Sequence, residues 1–198
     1  MQERKLMELA EAAGNIAIVG HVRPDGDCVG SCLAVCNYIT EQYPEKMVDV
    51  YLETPSAKFS YLKQFERICS DPDTGKQYDL CICLDSGDRE RLGKNVVYLN
   101  TAKTSICIDH HITNQGYAAA NFVKADASAT CEALYDFLDE EKISRDVAEC
   151  IYTGILHDTN VFKNSNTTQR TMQVAGAMMA KGINFSRIID ESFYRKTY

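Results

Sequence analysis

Short apolar runs rich in β-branched residues alternate along this chain with longer segments of helical periodicity. Residues 16–20, 48–52 and 80–84 are continuous apolar runs, as expected of strands covered on both faces. Residues 105–108 and 120–123 are weaker runs of the same kind, and helical patterns occupy 29–42 and 129–141. This alternation predicts an α/β domain with a doubly wound, mostly parallel five-stranded sheet and flanking helices. The C-terminal part, from residue 144 onward, reads as helical. Ser144 can cap one helix; Asn166, with Gln169 three residues later, has the form of a capping box for the next, and Gly182 fits as its stop. Residues 184–198 read as a further helix, whose Ile189, Phe193 and Tyr194 have no obvious partners.

Composition narrows the class. The 198 residues, 45% hydrophobic and 25% charged, suit one globular domain or slightly more, and exclude disorder and collagen-like structure. No run approaches the roughly 18 apolar residues of a membrane span. The first residues lead into an amphipathic segment rather than a signal core, so the expected location is cytoplasmic. The net charge of −7 is opposite in sign to that of a scaffold neutralising phosphates with Lys and Arg, so long duplex DNA is not an expected partner. Nine cysteines, an odd number with no Cys-x-x-Cys pair, read as reduced core residues: Cys28, Cys32 and Cys36 share a helix face, and Cys81 and Cys83 alternate in a strand.

The chemistry gathers around histidine. All four histidines lie beside or near aspartates: His21 opens the segment containing Asp25 and Asp27, His110 and His111 follow Asp109, and His157 precedes Asp158. Asp85 ends the third apolar run, with Asp88 three residues on. His21, Asp85 and Asp109 each follow a predicted strand, and in open parallel sheets the carboxyl ends of the strands form the ligand crevice. Carboxylates brought together there need cations. A mixture of imidazole and carboxylate suits Mn²⁺, with Mg²⁺, Co²⁺ or Fe²⁺ as alternatives. Taken singly, Asp25-Gly26-Asp27 also reads as a turn and His157 as a structural residue of a helix. Arg89 and Arg91, after the third strand, and Arg170, in a first helical turn, are candidate phosphate contacts or solvated side chains. Gly30 and Ser31 read as permitting close helix–sheet packing.

Six segments together resemble the motifs of the DHH phosphoesterase (RecJ-like) family. They are 23–31 (Arg-Pro-Asp-Gly-Asp-Cys-Val-Gly-Ser), 84–93 (Leu-Asp-Ser-Gly-Asp-Arg-Glu-Arg-Leu-Gly), 108–111 (Ile-Asp-His-His), 127–132 (Ala-Ser-Ala-Thr-Cys-Glu), 154–159 (Gly-Ile-Leu-His-Asp-Thr) and 166–168 (Asn-Thr-Thr). Their wording is most similar to the NrnA-type oligoribonuclease/pAp phosphatase branch. The resemblance implies two divalent ions, foremost Mn²⁺, with His21, Asp25 and Asp85 on one and Asp27, Asp85, His110 and Asp158 on the other. It further implies that Asp109 orients the histidines and that His111 faces the substrate phosphate or leaving oxygen. The implied chemistry is in-line displacement at phosphorus by water, with the ions about 3.5–4 Å apart. The implied substrates are very short oligonucleotides, cut to 5′-mononucleotides, and pAp. The alternatives are a phosphodiesterase for cyclic dinucleotides or pApA, and a metal-loaded nucleotide-binding module without useful turnover. A homodimer is an assembly the resemblance allows. His157 stands where the branch more commonly has Thr, and Asn160 where it commonly has Gly, which leaves the role of His157 open. The expected organisation is a catalytic domain over 1–182, with 183–198 beginning a helix toward a second, DHHA1-type domain whose glycine-rich motif is not found here; turnover would then be weak.

Overall fold

The computed structural model describes residues 5–73 and 75–194. Six strands, β1 (Asn15–Val19), β2 (Met47–Tyr51), β3 (Ile68–Cys69), β4 (Leu80–Leu84), β5 (Thr104–Asp109) and β6 (Ala120–Val123), form one sheet in the order β3-β2-β1-β4-β5-β6. Every pairing is parallel. The helices are α1 (Lys5–Ala12), α2 (Gly26–Gln42), α3 (Val96–Thr101), α4 (Thr130–Tyr135), α5 (Arg145–Asp158), α6 (Gln169–Ala180) and α7 (Phe185–Ile189).

The unbroken apolar runs have a direct cause, since both faces of each central strand are buried. Ile16, Ile18, Leu80, Ile82, Leu84, Ile106 and Ile108 point into the large core with α2, α4 and α5. Ala17, Val19, Cys81, Cys83 and Cys107 point the other way, onto Tyr98 of α3 and onto Tyr51 and Tyr78. All nine cysteines are free thiols and all except Cys69 are buried, as small core residues.

The structure corrects the sequence reading in five places. The sheet has six strands rather than five, because β3 is two residues long and carries no detectable period. α2 begins three residues earlier than its periodicity, capped by Asp25, which accepts from the backbone N–H of Asp27 and Cys28. The helix read over 129–141 stops at Tyr135 and is followed by a separate 3-10 turn, Glu140–Lys142, capped by Asp139. Ser144 caps α5 as expected, but the capping box of α6 is built from Thr168 and Thr171 rather than from Asn166 and Gln169. Gly30 allows α2 to approach α5, not the sheet: a Cβ there would lie 2.6 Å from the carbonyl oxygen of Cys150. At the C-terminal end Ile188 is buried, Ile189 packs against the core, and Phe193 stacks on His157, whereas Tyr194 is exposed; residues 195–198 lie outside the described residues. Among the described residues no helix is long and apolar enough to cross a membrane.

Candidate metal centre

The strand order reverses direction between β1 and β4, so the crevice at this switch point opens at the ends of these two strands. His21 follows β1 and Asp85 follows β4, so both side chains stand at the crevice. Asp85 adopts φ +55°, a left-handed conformation costly for a residue with a Cβ. Its Oδ1 accepts from Thr130 Oγ1 at 2.9 Å. Asp25 and Asp27 flank the first residue of α2. The two oxygens of Asp27 accept from the backbone N–H of Thr130 (2.6 Å) and Cys131 (2.9 Å), so the start of α4 anchors that carboxylate. Asp158 ends α5, and its backbone carbonyl accepts from the amides of Asn164 and Asn166. The chain then turns through Asn160, Val161 and Phe162, all with positive φ. The φ of +48° at Asn160 explains why glycine suits that position.

These segments converge. His21 Nε2 lies 3.4 Å from Asp85 Oδ2 and 3.8 Å from Asp25 Oδ1. His110 Nε2 lies 3.1 Å from Asp158 Oδ2 and 3.8 Å from Asp85 Oδ1. The opposite ring nitrogens contact carbonyl oxygens, His21 Nδ1 that of Val22 at 2.8 Å and His110 Nδ1 that of Ala127 at 3.3 Å. With Nδ1 on a carbonyl, each Nε2 faces the carboxylates, and an ion that displaced its proton would find there the lone pair that coordination requires. His111 is arranged differently: its Nδ1 donates to buried Asp109 at 2.7 Å, and the other oxygen of Asp109 accepts from Asn114 Nδ2 at 2.7 Å.

Electrostatics shows what the cluster lacks. Burial, then the charges of Asp85 and Asp158, push the Asp27 carboxyl well up. Burial, partly opposed by a bond to His110 and reinforced by Asp85, also raises Asp158. Asp25, whose side chain is partly exposed, is held down at about 2 by His21 and by the N–H groups of Cys28 and Asp27, which outweigh its partial desolvation. Burial would lower the His21 imidazole, but bonds to Asp25 and Asp85 raise it. Donor atoms of His21, Cys28 and Asp85, of Asp85, His110 and His111, and of Asp27, His110 and Asp158 lie within 4.8 Å of one another in each group. Crowded carboxylates and inward-facing imidazole nitrogens fit divalent cations.

Other candidates are placed elsewhere. His157, adjacent to Asp158, packs between Phe59 (5.0 Å between ring centres, edge-on) and Phe193 (4.6 Å, stacked) and covers Gly26. Its buried Nε2 has no hydrogen-bond partner among the described residues, and burial followed by the charge of Lys58 lowers its pKa to about 4. The ring is a packing element of the centre's floor. Arg170 is ion-paired with Asp136, shared with Lys124, and lies over Tyr135. Arg89 donates to Asn100 and lines a shallow cavity of about 350 Å³ with Gly87, Thr113 and Tyr117. Gly87 abuts His111, so Arg89 borders the centre. The sequence pattern by itself marks neither Thr130 nor Asn114 as part of the centre. Thr130 lies in the 127–132 motif, but nothing in the spacing of Asn114 pointed to it.

A doubly wound parallel sheet with His and Asp side chains gathered at its switch point defines the class of α/β domains with a candidate metal centre at the strand ends. The family model described as DHH family, N-terminal domain matches residues 15–155, and the chain belongs to that family. It is 30% identical over 181 residues to the bifunctional oligoribonuclease and PAP phosphatase NrnA of Bacillus subtilis (strain 168), covering 89% of this chain and 56% of that protein. It is 31% identical over 191 residues to the probable bifunctional oligoribonuclease and PAP phosphatase NrnA of Streptococcus mutans, covering 93% of this chain and 58% of the relative. The chain thus spans somewhat more than half the length of the curated relatives it matches. A crystal structure of an exopolyphosphatase-related protein from Bacteroides fragilis superposes with a TM-score of 0.90 at 23% identity, covering 99% of this chain and 61% of that one, and so shares the fold.

Proposed function

We propose that this chain is a divalent-metal-dependent phosphoesterase, using Mn²⁺ foremost, that releases 5′-mononucleotides from very short oligonucleotides and phosphate from pAp. The observation that carries this reading is the convergence of four aspartates with two inward-facing imidazoles at the sheet's switch point. The names of the NrnA relatives supply the substrate class. His21, Asp25 and Asp85 would hold one ion and Asp27, Asp85, His110 and Asp158 the other. When bound, the pair would acidify the attacking water and neutralise charge on the phosphoryl oxygens. The bond from Asp109 raises the His111 imidazole pKa, which favours the protonated ring, and its Nε2–H would be the donor to the leaving oxygen. Arg89 borders this position and would contact a substrate phosphate, whereas Arg170 would first have to leave Asp136. Residues 1–182 supply the catalytic machinery, which 183–194 brace through Phe193. Buried free thiols suit a cytoplasmic setting.

The test is hydrolysis of pAp and a 5′-labelled trinucleotide with and without Mn²⁺, with Asp85→Ala as the comparison. The expected result is metal-dependent release of phosphate or mononucleotide, reduced by about 10³ or more in the variant, since electrostatic stabilisation is the largest catalytic contribution. Undiminished metal-dependent hydrolysis by Asp85→Ala would overturn the proposal. Adding pApA to the substrates distinguishes a dinucleotide phosphodiesterase by relative rates.

A further inference from the structure

Sulfur stands among the nitrogen and oxygen donors of this centre. Cys28 is fully buried one residue after Asp27, on the turn of α2 that also presents Asp25. Its backbone N–H donates to Asp25 Oδ1 at 3.1 Å, which fixes the thiol relative to that carboxylate. Its Sγ, a ring nitrogen of His21 and a carboxylate oxygen of Asp85 lie within 4.8 Å of one another, and all three residues are buried. An ion bound at about 2.0–2.3 Å to nitrogen, oxygen and sulfur donors holds them at separations of this size. The position of the thiol depends on Gly20, where a Cβ would overlap Sγ. Apart from the ion site, Sγ approaches the carbonyl oxygen of His21 at 4.0 Å and pairs with the neighbouring Cys32 thiol.

We propose that Cys28 is a thiolate donor to the ion held by His21, Asp25 and Asp85, making this half of the centre a mixed N,O,S site selective for borderline-soft ions such as Zn²⁺, Co²⁺ or Fe²⁺. The Asp27, His110 and Asp158 half keeps only nitrogen and oxygen donors and suits Mn²⁺ or Mg²⁺. The two halves therefore differ in metal preference. As the ion binds, the thiol proton passes to solvent and the sulfur lone pair to the metal. This inference rests on the metal-centre reading above, and its test separates the two.

The full chain, stripped of metal and kept reduced, is titrated with Co²⁺ while its absorption is recorded. The expected result is a thiolate-to-cobalt charge-transfer band in the near ultraviolet that saturates together with the visible d–d bands. Cys28→Ser and Cys28→Ala should lose the charge-transfer band and keep d–d absorption from the second half. Cys32→Ala, which removes the next buried thiol on the same helix face, should retain both. By competition, Zn²⁺ affinity should fall about tenfold or more in Cys28→Ser, with Mn²⁺ affinity of the other half unchanged. Saturable d–d bands without a charge-transfer band, or a band that survives in Cys28→Ser, would overturn the thiolate assignment alone. Absence of Co²⁺ binding would overturn the metal-centre reading and this inference with it.

Discussion

His157 illustrates how a residue beside a candidate ligand can have an unrelated job. Held neutral between Phe59 and Phe193, it resists protonation down to about pH 4, whereas an unfolded histidine takes a proton near 6.5. Between these values the unfolded chain binds more protons, so the contribution is complete above 6.5 and is lost as pH falls toward 4. At pH 5 the loss is about 2 kcal/mol, or roughly 4–8 °C in Tm for a domain of this size. His157→Phe keeps an aromatic ring and removes the titrating group. Metal-free wild type and variant compared at pH 7 and pH 5 should therefore diverge, the variant losing several degrees less. The raised carboxyls of Asp27 and Asp158 act in the opposite sense and largely cancel in that difference. An identical acid loss in both proteins would refute the assignment. In the sequence, His157-Asp158 looked like another His–Asp pairing at the site. Only contacts from distant Phe59 and Phe193 reveal its packing role, whereas His21 and Asp85 were legible because strand ends place them without tertiary detail.

At the scale of elements, the centre depends on how closely α2, α4 and α5 approach. A Cβ on Gly30 would meet the Cys150 carbonyl at 2.6 Å and the Gly154 N at 3.1 Å, and one on Gly154 would meet Asp27 Oδ1 at 2.6 Å. Gly30→Ala should therefore separate α2 from α5 at a cost of about 1–3 kcal/mol, lowering Tm by several degrees and weakening metal binding through displacement of Asp27. Gly176, exposed within α6, has nothing among the described residues within 4 Å of an added Cβ. Gly176→Ala should stabilise by about 0.5–1 kcal/mol and leave metal affinity unchanged. Thermal melts and Mn²⁺ titrations of the pair check both signs; equal effects would mean that helix spacing does not control the site. The helices and central strands were legible because their periodicities reflect burial. Caps and ends were less so: Thr168 replaced Asn166 because Asn166 bonds across to Ser128 and Asp158, and β3 exists only through pairing with β2.

At the scale of the molecule, a chain of net charge −7 folds with Asp25, Asp27, Asp85 and Asp158 directed at one crevice. In the metal-free protein the repulsion felt at Asp27 and Asp158 opposes folding, and the unfolded chain relieves it by separating these residues. Divalent ions reverse the balance, because they bind the assembled crevice far more tightly than the dispersed ligands. Two ions would bring the formal charge to about −3. Mn²⁺ at 100 times its Kd should add about 2.7 kcal/mol, roughly 5–10 °C in Tm. Sodium chloride at equal ionic strength should not reproduce the shift, since screening acts weakly on buried charges. Asp85→Ala should respond less to Mn²⁺ for two reasons: it loses the residue shared by two donor groups, and its metal-free form carries less repulsion to relieve. A melting temperature unmoved by Mn²⁺, Mg²⁺ and Co²⁺, or a full shift in Asp85→Ala, would mean that the crevice is stabilised by its internal hydrogen bonds rather than completed by cations.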